Sequence, residues 1–195
     1  MESQAVQAQT EAALKSTGGA AKITANEVSN LATKIAMKSG IDDEAIQSGE
    51  NLLLTFTNIR NEAGRGNDIF NQSTQILTDM SVAMGTDVSS QALVLGKAMN
   101  DPVRGVSALT RVGVTFTEGQ KESIKSMVEM GNTAGAQKII LGELTKEFGG
   151  SADAAGKTMA GQMNIAKVAI GNLSEDIGAK LLPAFSQAMA YAIAN

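Results

Sequence analysis

The chain contains no cysteine, no histidine and no tryptophan, and its 195 residues include only six aromatics and two prolines. Without histidine there is no Ser-His-Asp or Cys-His nucleophile system and no imidazole proton shuttle. Without His or Cys there is no ordinary zinc, haem or iron–sulfur site. No disulfide can form, so packing alone must hold the fold. No apolar run reaches the 18 residues that would read as a transmembrane helix. The first 16 residues are polar and of mixed charge, and do not read as a signal peptide.

The net charge of −4 and pI near 4.9 weigh against a nucleic-acid partner, which wants a basic face and, for single strands, stacking aromatics. Arg60 with Arg65, Arg104 with Arg111 and Lys121 with Lys125 are isolated basic pairs and read as solvated helix surface.

Helix signals run the length of the chain. Residues 2–16 are rich in Ala, Gln and Glu and stop at Gly18-Gly19. Thr24 with Glu27 forms a capping box for a helix that Gly40 ends. Asp42 caps the next, with Ala45, Gly49, Leu52, Phe56 and Ile59 expected on its buried face. After a 61–67 loop, Ile69, Ser73, Ile76, Met80 and Ala83 make a stripe closed by Gly85. Thr86-Asp87 opens a helix ending near Asn100, because Pro102 disfavours helical geometry at Asp101. A short helix follows and stops at Gly113. Residues 114–116 are the one plausible extended piece. Thr117 and Gln120 form a second capping box, leading into Ile124, Met127 and Val128. A helix with Ala136, Ile140, Leu144 and Phe148 is closed by Gly149-Gly150.

Further on, Met159, Met163, Ala166, Ile170, Leu173 and Ile177 are spaced 4-3-4-3-4, a heptad-like seam. It fits a long amphipathic helix docked on its own bundle or a self-associating coiled coil. Gly161, Gly171 and Gly178 lower helix stability and favour docking. Met80, Met84, Met127, Met159 and Met163 are accordingly expected in the core. The predicted fold is all-α: about eight short-to-medium helices in a compact or partly extended bundle, with a longer helix near 157–180. The organisation reads as an N-terminal helical segment (1–40), a short-helix module (41–150) and a long C-terminal helix (151–195). The last 15 residues carry no charge and end without a cap, as in a chain that continues.

Candidate chemistry is sparse. Gly156-Lys157-Thr158 resembles the end of a phosphate-binding loop, but that pattern needs glycine at 151, where Ser stands, and a preceding strand. A glycine hinge before the long helix is the simpler reading. Asp42-Asp43-Glu44 could form a carboxylate cluster, yet clustered acids also suit a helix start, and calcium-loop spacing is missing. Glu175-Asp176 reads as a solvated face. Asn71-Gln72-Ser73 and Asn172-Leu173-Ser174 match the short glycosylation triplet. No catalytic, cofactor-binding or metal-ligating residue is assigned, and an enzyme is not expected.

The stretch Ser48-Gly49-Glu50-Asn51-Leu52-Leu53-Leu54-Thr55-Phe56-Thr57-Asn58-Ile59 resembles bacteriophage tail tape-measure proteins. So do Leu95-Gly96-Lys97-Ala98-Met99-Asn100-Asp101-Pro102 and Gly105-Val106-Ser107-Ala108-Leu109-Thr110-Arg111-Val112-Gly113-Val114-Thr115-Phe116-Thr117. Gln137-Lys138-Ile139-Ile140-Leu141, Phe148-Gly149-Gly150-Ser151-Ala152, Gly161-Gln162-Met163-Asn164 and Leu181-Leu182-Pro183 continue in the same order, covering roughly residues 35–185. The resemblance implies a structural protein of the virion tail. Such a protein is assembled in the bacterial host cytoplasm, occupies the tail tube, sets tail length and leaves during DNA ejection. Implied partners are the tail-tube protein, tail-tip or hub proteins and tail assembly chaperones, with self-association through 159–177 as a further possibility. The family is normally far longer, and short helices suit a folded module better than an extended ruler. A generic helical adaptor of a prophage or cell, without a length-setting role, is the alternative; a nucleotide-binding enzyme using Lys157 is the third.

Overall fold

The computed structural model describes residues 2–194, with side chains for all of these except 176, 179 and 182–194. Ten helices are seen among them: α1 (Glu2–Ser16), α2 (Ala25–Ser39), α3 (Asp43–Leu54), α4 (Ile69–Met84), α5 (Val88–Asn100), α6 (Pro102–Arg111), α7 (Glu118–Glu129), α8 (Thr133–Phe148), α9 (Ser151–Gly156) and α10 (Met159–Ala194). The protein is all-α, and the described residues pair only through one isolated bridge, Asn61 with Asp68.

Local chemistry sets most boundaries. Both capping boxes form, with the Thr24 and Thr117 hydroxyls accepting from the Glu27 and Gln120 amides while those side chains reach back. Asp42, Asp87, Asp101 and Asn132 cap α3, α5, α6 and α8 in the same way. α4 is different. Asp68 makes no side-chain cap, and Asn61 Oδ1 in the preceding loop accepts from the Phe70 and Asn71 amides at 3.0 and 3.4 Å.

α4 lies at the centre, with Ile69, Phe70, Ile76, Leu77 and Met80 buried together with Ser73, Thr74, Thr78, Asp79 and Ser81. It packs against α3, α5, α8 and α9. The main core joins Leu53 and Leu54 of α3, Leu95 and Met99 of α5, Leu109 of α6, Ile124 of α7 and Ile140 and Leu144 of α8. α1 is tied on by polar contacts: Gln47 Nε2 donates to Thr10 Oγ1, which donates to Asn51 Oδ1 at 2.7 Å. A smaller cluster of Ala32, Ile35, Ala36, Ile46 and Val168 joins α2 to α3 and α10.

The expected buried face of α3 holds only in part: Gly49 and Ile59 are buried, but the phase of the helix differs by one residue elsewhere. Its buried apolar positions are Ile46, Leu53 and Leu54, whereas Ala45 is exposed and Leu52 half-buried. The helix ends at Leu54, where the Thr55 amide and hydroxyl both bond the Leu52 carbonyl. Phe56 therefore leaves the helix and lays its ring over Gly96 of α5, where any Cβ would overlap it. Residues 114–116 form no strand. Val114 and Phe116 are buried, and the Thr115 amide donates to Glu147 Oε1 at 2.9 Å. Residues 151–156 form a helix of their own instead of a hinge, one reason the count exceeds eight.

The seam is the main correction. Met159, Met163, Ile170, Leu173 and Ile177 are 83, 59, 66, 60 and 51 % exposed. α10 does dock on the bundle, but by its opposite face, through Gly161 and Val168. Met159 and Met163 are thus surface residues, while Met80 is fully buried and Met84 and Met127 are partly buried.

Gly105 in α6 sits directly on the Ala98 backbone of α5, and a Cβ there would overlap the Ala98 carbonyl. Gly142 in α8 is exposed with open space around it. Both are helix-interior glycines, so propensity alone favours alanine at each. Gly105→Ala is expected to lower stability by about 1–3 kcal/mol through overpacking. Gly142→Ala is expected to raise it by about 0.5–1 kcal/mol. Urea unfolding of the two variants beside wild type checks the opposite signs.

Candidate functional site

The segment resembling a phosphate loop folds as α9. Gly150 has φ +83° and starts it, and Lys157 lies exposed just past its end. The Ala152 amide at the start of α9 donates to Asp79 Oδ1 of α4 at 2.9 Å, in buried surroundings. A helix N-terminus attracts anions; here a carboxylate of the chain already fills that place. Gly156 is buried with its Cα against the Lys38 carbonyl. The segment therefore joins α2, α4 and α10 and is not an open cradle.

Asp42, Asp43 and Glu44 do come together, with one oxygen from each inside a 4.8 Å span. They line a cavity of about 430 Å³ beneath α10, shared with Glu2, Lys167, Asn172 and Glu175. Oxygen donors of this kind suit a hard cation. Two of the three already have structural partners. Asp42 caps Ala45, and Asp43 Oδ2 accepts from Thr33 Oγ1 at 3.0 Å and from Asn172 Nδ2 at 2.9 Å. Glu44 meets only its own backbone and Asp42. Desolvation, together with the charges of Asp43 and Asp42, pushes its carboxyl up to about 8, against a smaller opposing pull from its own backbone amide.

The basic pairs named in the sequence are ordinary surface, Glu175 is exposed, and the side chain of Asp176 lies outside the described residues. Arg60 pairs with Glu62, Arg104 with Asp101, Lys121 with Glu118 and Lys125 with Glu129. Such exposed pairs contribute little to stability. Asn71 and Asn172 are half-buried and bonded to Asn61 and Asp43.

Two buried acids stand out that sequence reasoning did not single out. Asp79 is one. The other is Glu50 of α3, fully buried with no protein hydrogen-bond partner at either oxygen. Burial pushes its carboxyl well above the usual range. The Thr74 hydroxyl, whose own hydrogen bond goes to the Phe70 carbonyl, pulls the other way by less. Its only sequence signal is an acid within the α3 run Glu50-Asn51-Leu52-Leu53-Leu54. Comparison with known proteins finds no matching family model, no similar curated protein and no similar solved structure.

The surface feature with the largest reach is therefore the outer face of α10. Its inner face carries the docked positions Gly161 and Val168, and its outer face carries the exposed heptad positions. Thr158 Oγ1 caps the helix by accepting from the Gly161 amide at 3.0 Å.

Two outcomes follow from the buried acids. Folded Glu50 keeps its proton to higher pH than the unfolded chain, whose glutamates ionise near 4.5. Rising pH therefore favours unfolding above that value. The melting temperature is expected to fall from pH 5 to pH 8, and Glu50→Gln to flatten that fall. Glu44 contributes a slope of the same sign, so the difference between wild type and variant is the quantity to read. Asp79→Ala leaves the buried Ala152 amide unpaired and is expected to cost about 1–3 kcal/mol. Asp153→Ala, a half-buried acid on α9, is expected to stay within about 0.5 kcal/mol; urea unfolding at pH 7 separates them.

Proposed function

We propose that this chain is a folded helical module of a tape-measure-type phage tail protein, with a structural and not an enzymatic role. The observation that carries the reading is the geometry of α10. One face is anchored on the module by Gly161 and Val168, and the other presents an apolar heptad seam to solvent. At 36 residues α10 extends for about 54 Å. That is the form of an element built to enter a larger assembly. The ordered set of tape-measure-like motifs over roughly 35–185 supports the same reading.

Several of those motif residues perform fold-building work. Gly96 receives Phe56, Gly105 abuts Ala98, and Pro102 occupies the first turn of α6 behind the Asp101 cap. On this reading the protein resides in the virion tail after assembly in the host cytoplasm. Its partners are the tail-tube protein, tail-tip or hub proteins, tail assembly chaperones and further copies of the chain. No described helix is long and apolar enough to cross a membrane.

The test is the protein composition of purified particles from the source phage or prophage. Peptides of this chain are expected in intact particles and depleted from tails after DNA ejection. Absence from intact particles, with the protein present in the producing cell, would favour a helical adaptor and overturn the tail reading.

A further inference from the structure

We propose that the cavity between α2, α4 and the α8–α9 junction binds a free α-amino acid, a ligand with an ammonium and a carboxylate on one carbon. The cavity holds about 370 Å³, within the ~300–1,000 Å³ usual for small-molecule sites. Its wall includes Lys38 of α2, Gln75 and Asp79 of α4, Gly149 at the end of α8, and Asp153 of α9.

The feature that calls for a ligand is Asp79, which is only 3 % exposed. Its Oδ1 accepts from the Ala152 amide at 2.9 Å, the one hydrogen bond the carboxylate makes among the described residues. Oδ2 has no such partner and is not sealed from solvent, so it opens into the cavity. A carboxylate oxygen withdrawn from bulk water and short of donors favours a ligand that brings N–H groups. Asp153 is half-buried in the same wall. Gly149 caps the C-terminus of the 16-residue α8, the negative pole of that helix. Three negative features thus converge on one cationic group.

The opposite sign is present too. Lys38 lines the same cavity, and Gln75 adds an amide that can donate. A bare divalent cation would meet the lysine and lacks the six or more oxygens such ions take. A bare anion would meet both acids. A ligand bearing both charges meets neither objection. Its ammonium falls to Asp79 Oδ2 and Asp153, and its carboxylate to Lys38 and Gln75. A free amino acid carries the two groups on one carbon, which suits acids and a lysine sharing one small volume.

The test uses the 195-residue chain with L-alanine as probe, and propylamine and propionate as controls that each carry one of its charges. In an NMR titration at millimolar concentration, the amides of residues 149–153 are expected to shift with L-alanine and far less with either control. Asp153→Asn and Lys38→Met each remove one charge, and neither side chain makes a hydrogen bond among the described residues. Each is expected to weaken L-alanine binding by about tenfold or more, with the melting curve retained. Lys125→Met on exposed α7 is expected to bind as wild type does. No shift at residues 149–153 with L-alanine overturns the proposal. So do equal shifts from propylamine, which would mark a site for a cation alone, and unchanged binding in both charge variants.

Discussion

Gly156 rests with its Cα against the Lys38 carbonyl, too close for any side chain to fit between them. That backbone contact fixes the end of α9 on α2 and so sets where α10 begins. Gly161, one turn further along, lies against Gly40 at the end of α2. Val168 adds the apolar part of the joint, packing with Ile35, Ala36 and Ile46. The joint consists mostly of backbone touching backbone, so it fixes the rotation of α10 about its axis as well as its position. Rotation is what decides which heptad stripe faces the module and which faces water.

The interior has a similar logic. α4 is buried nearly all round, yet five of its buried residues are polar. Thr74 and Thr78 return their hydroxyl protons to carbonyls one turn earlier, which makes them compatible with an apolar setting. Asp79 reaches across to the start of α9. Both Glu50 oxygens and the Ser73 hydroxyl are buried in this interior without a hydrogen-bond partner, and the neutral form of Glu50 is the one the core tolerates. Polar side chains thus hold α9, and through it α10, onto a core that Leu, Ile, Met and Phe residues close.

The element plan was legible because it is written in local chemistry. Capping Thr, Asp and Asn side chains and stopping glycines act within four residues, and Thr24, Thr117, Gly40 and Gly85 behave as their sequence context predicts. What was not legible acts over distance. Asn61 caps α4 from a loop, Gln137 bridges the Asn58 and Met99 carbonyls, and the Ala152 amide finds Asp79 across 73 positions. The mis-phased α3 has the same origin, since the place where the chain leaves that helix is set by Phe56 packing on Gly96. α10 carries two stripes of suitable spacing, Gly161-Val168 on one face and Met163-Ile170 on the other. Hydrophobicity pointed to the larger side chains as the docked face. Docking selected the smaller ones, because backbones approach closely only where side chains are absent.

Methionine oxidation tests the central claim, that α10 is anchored by its small-residue face and leaves its heptad seam exposed. Met80 and Met99 are fully buried and serve as internal references, whereas Met159 and Met163 report the seam. The account predicts fast peroxide oxidation of Met159 and Met163, with Met80 and Met99 slow throughout. Protection of Met159 and Met163 equal to that of Met80 and Met99 would mean that the seam faces the chain's own bundle, and would contradict the account.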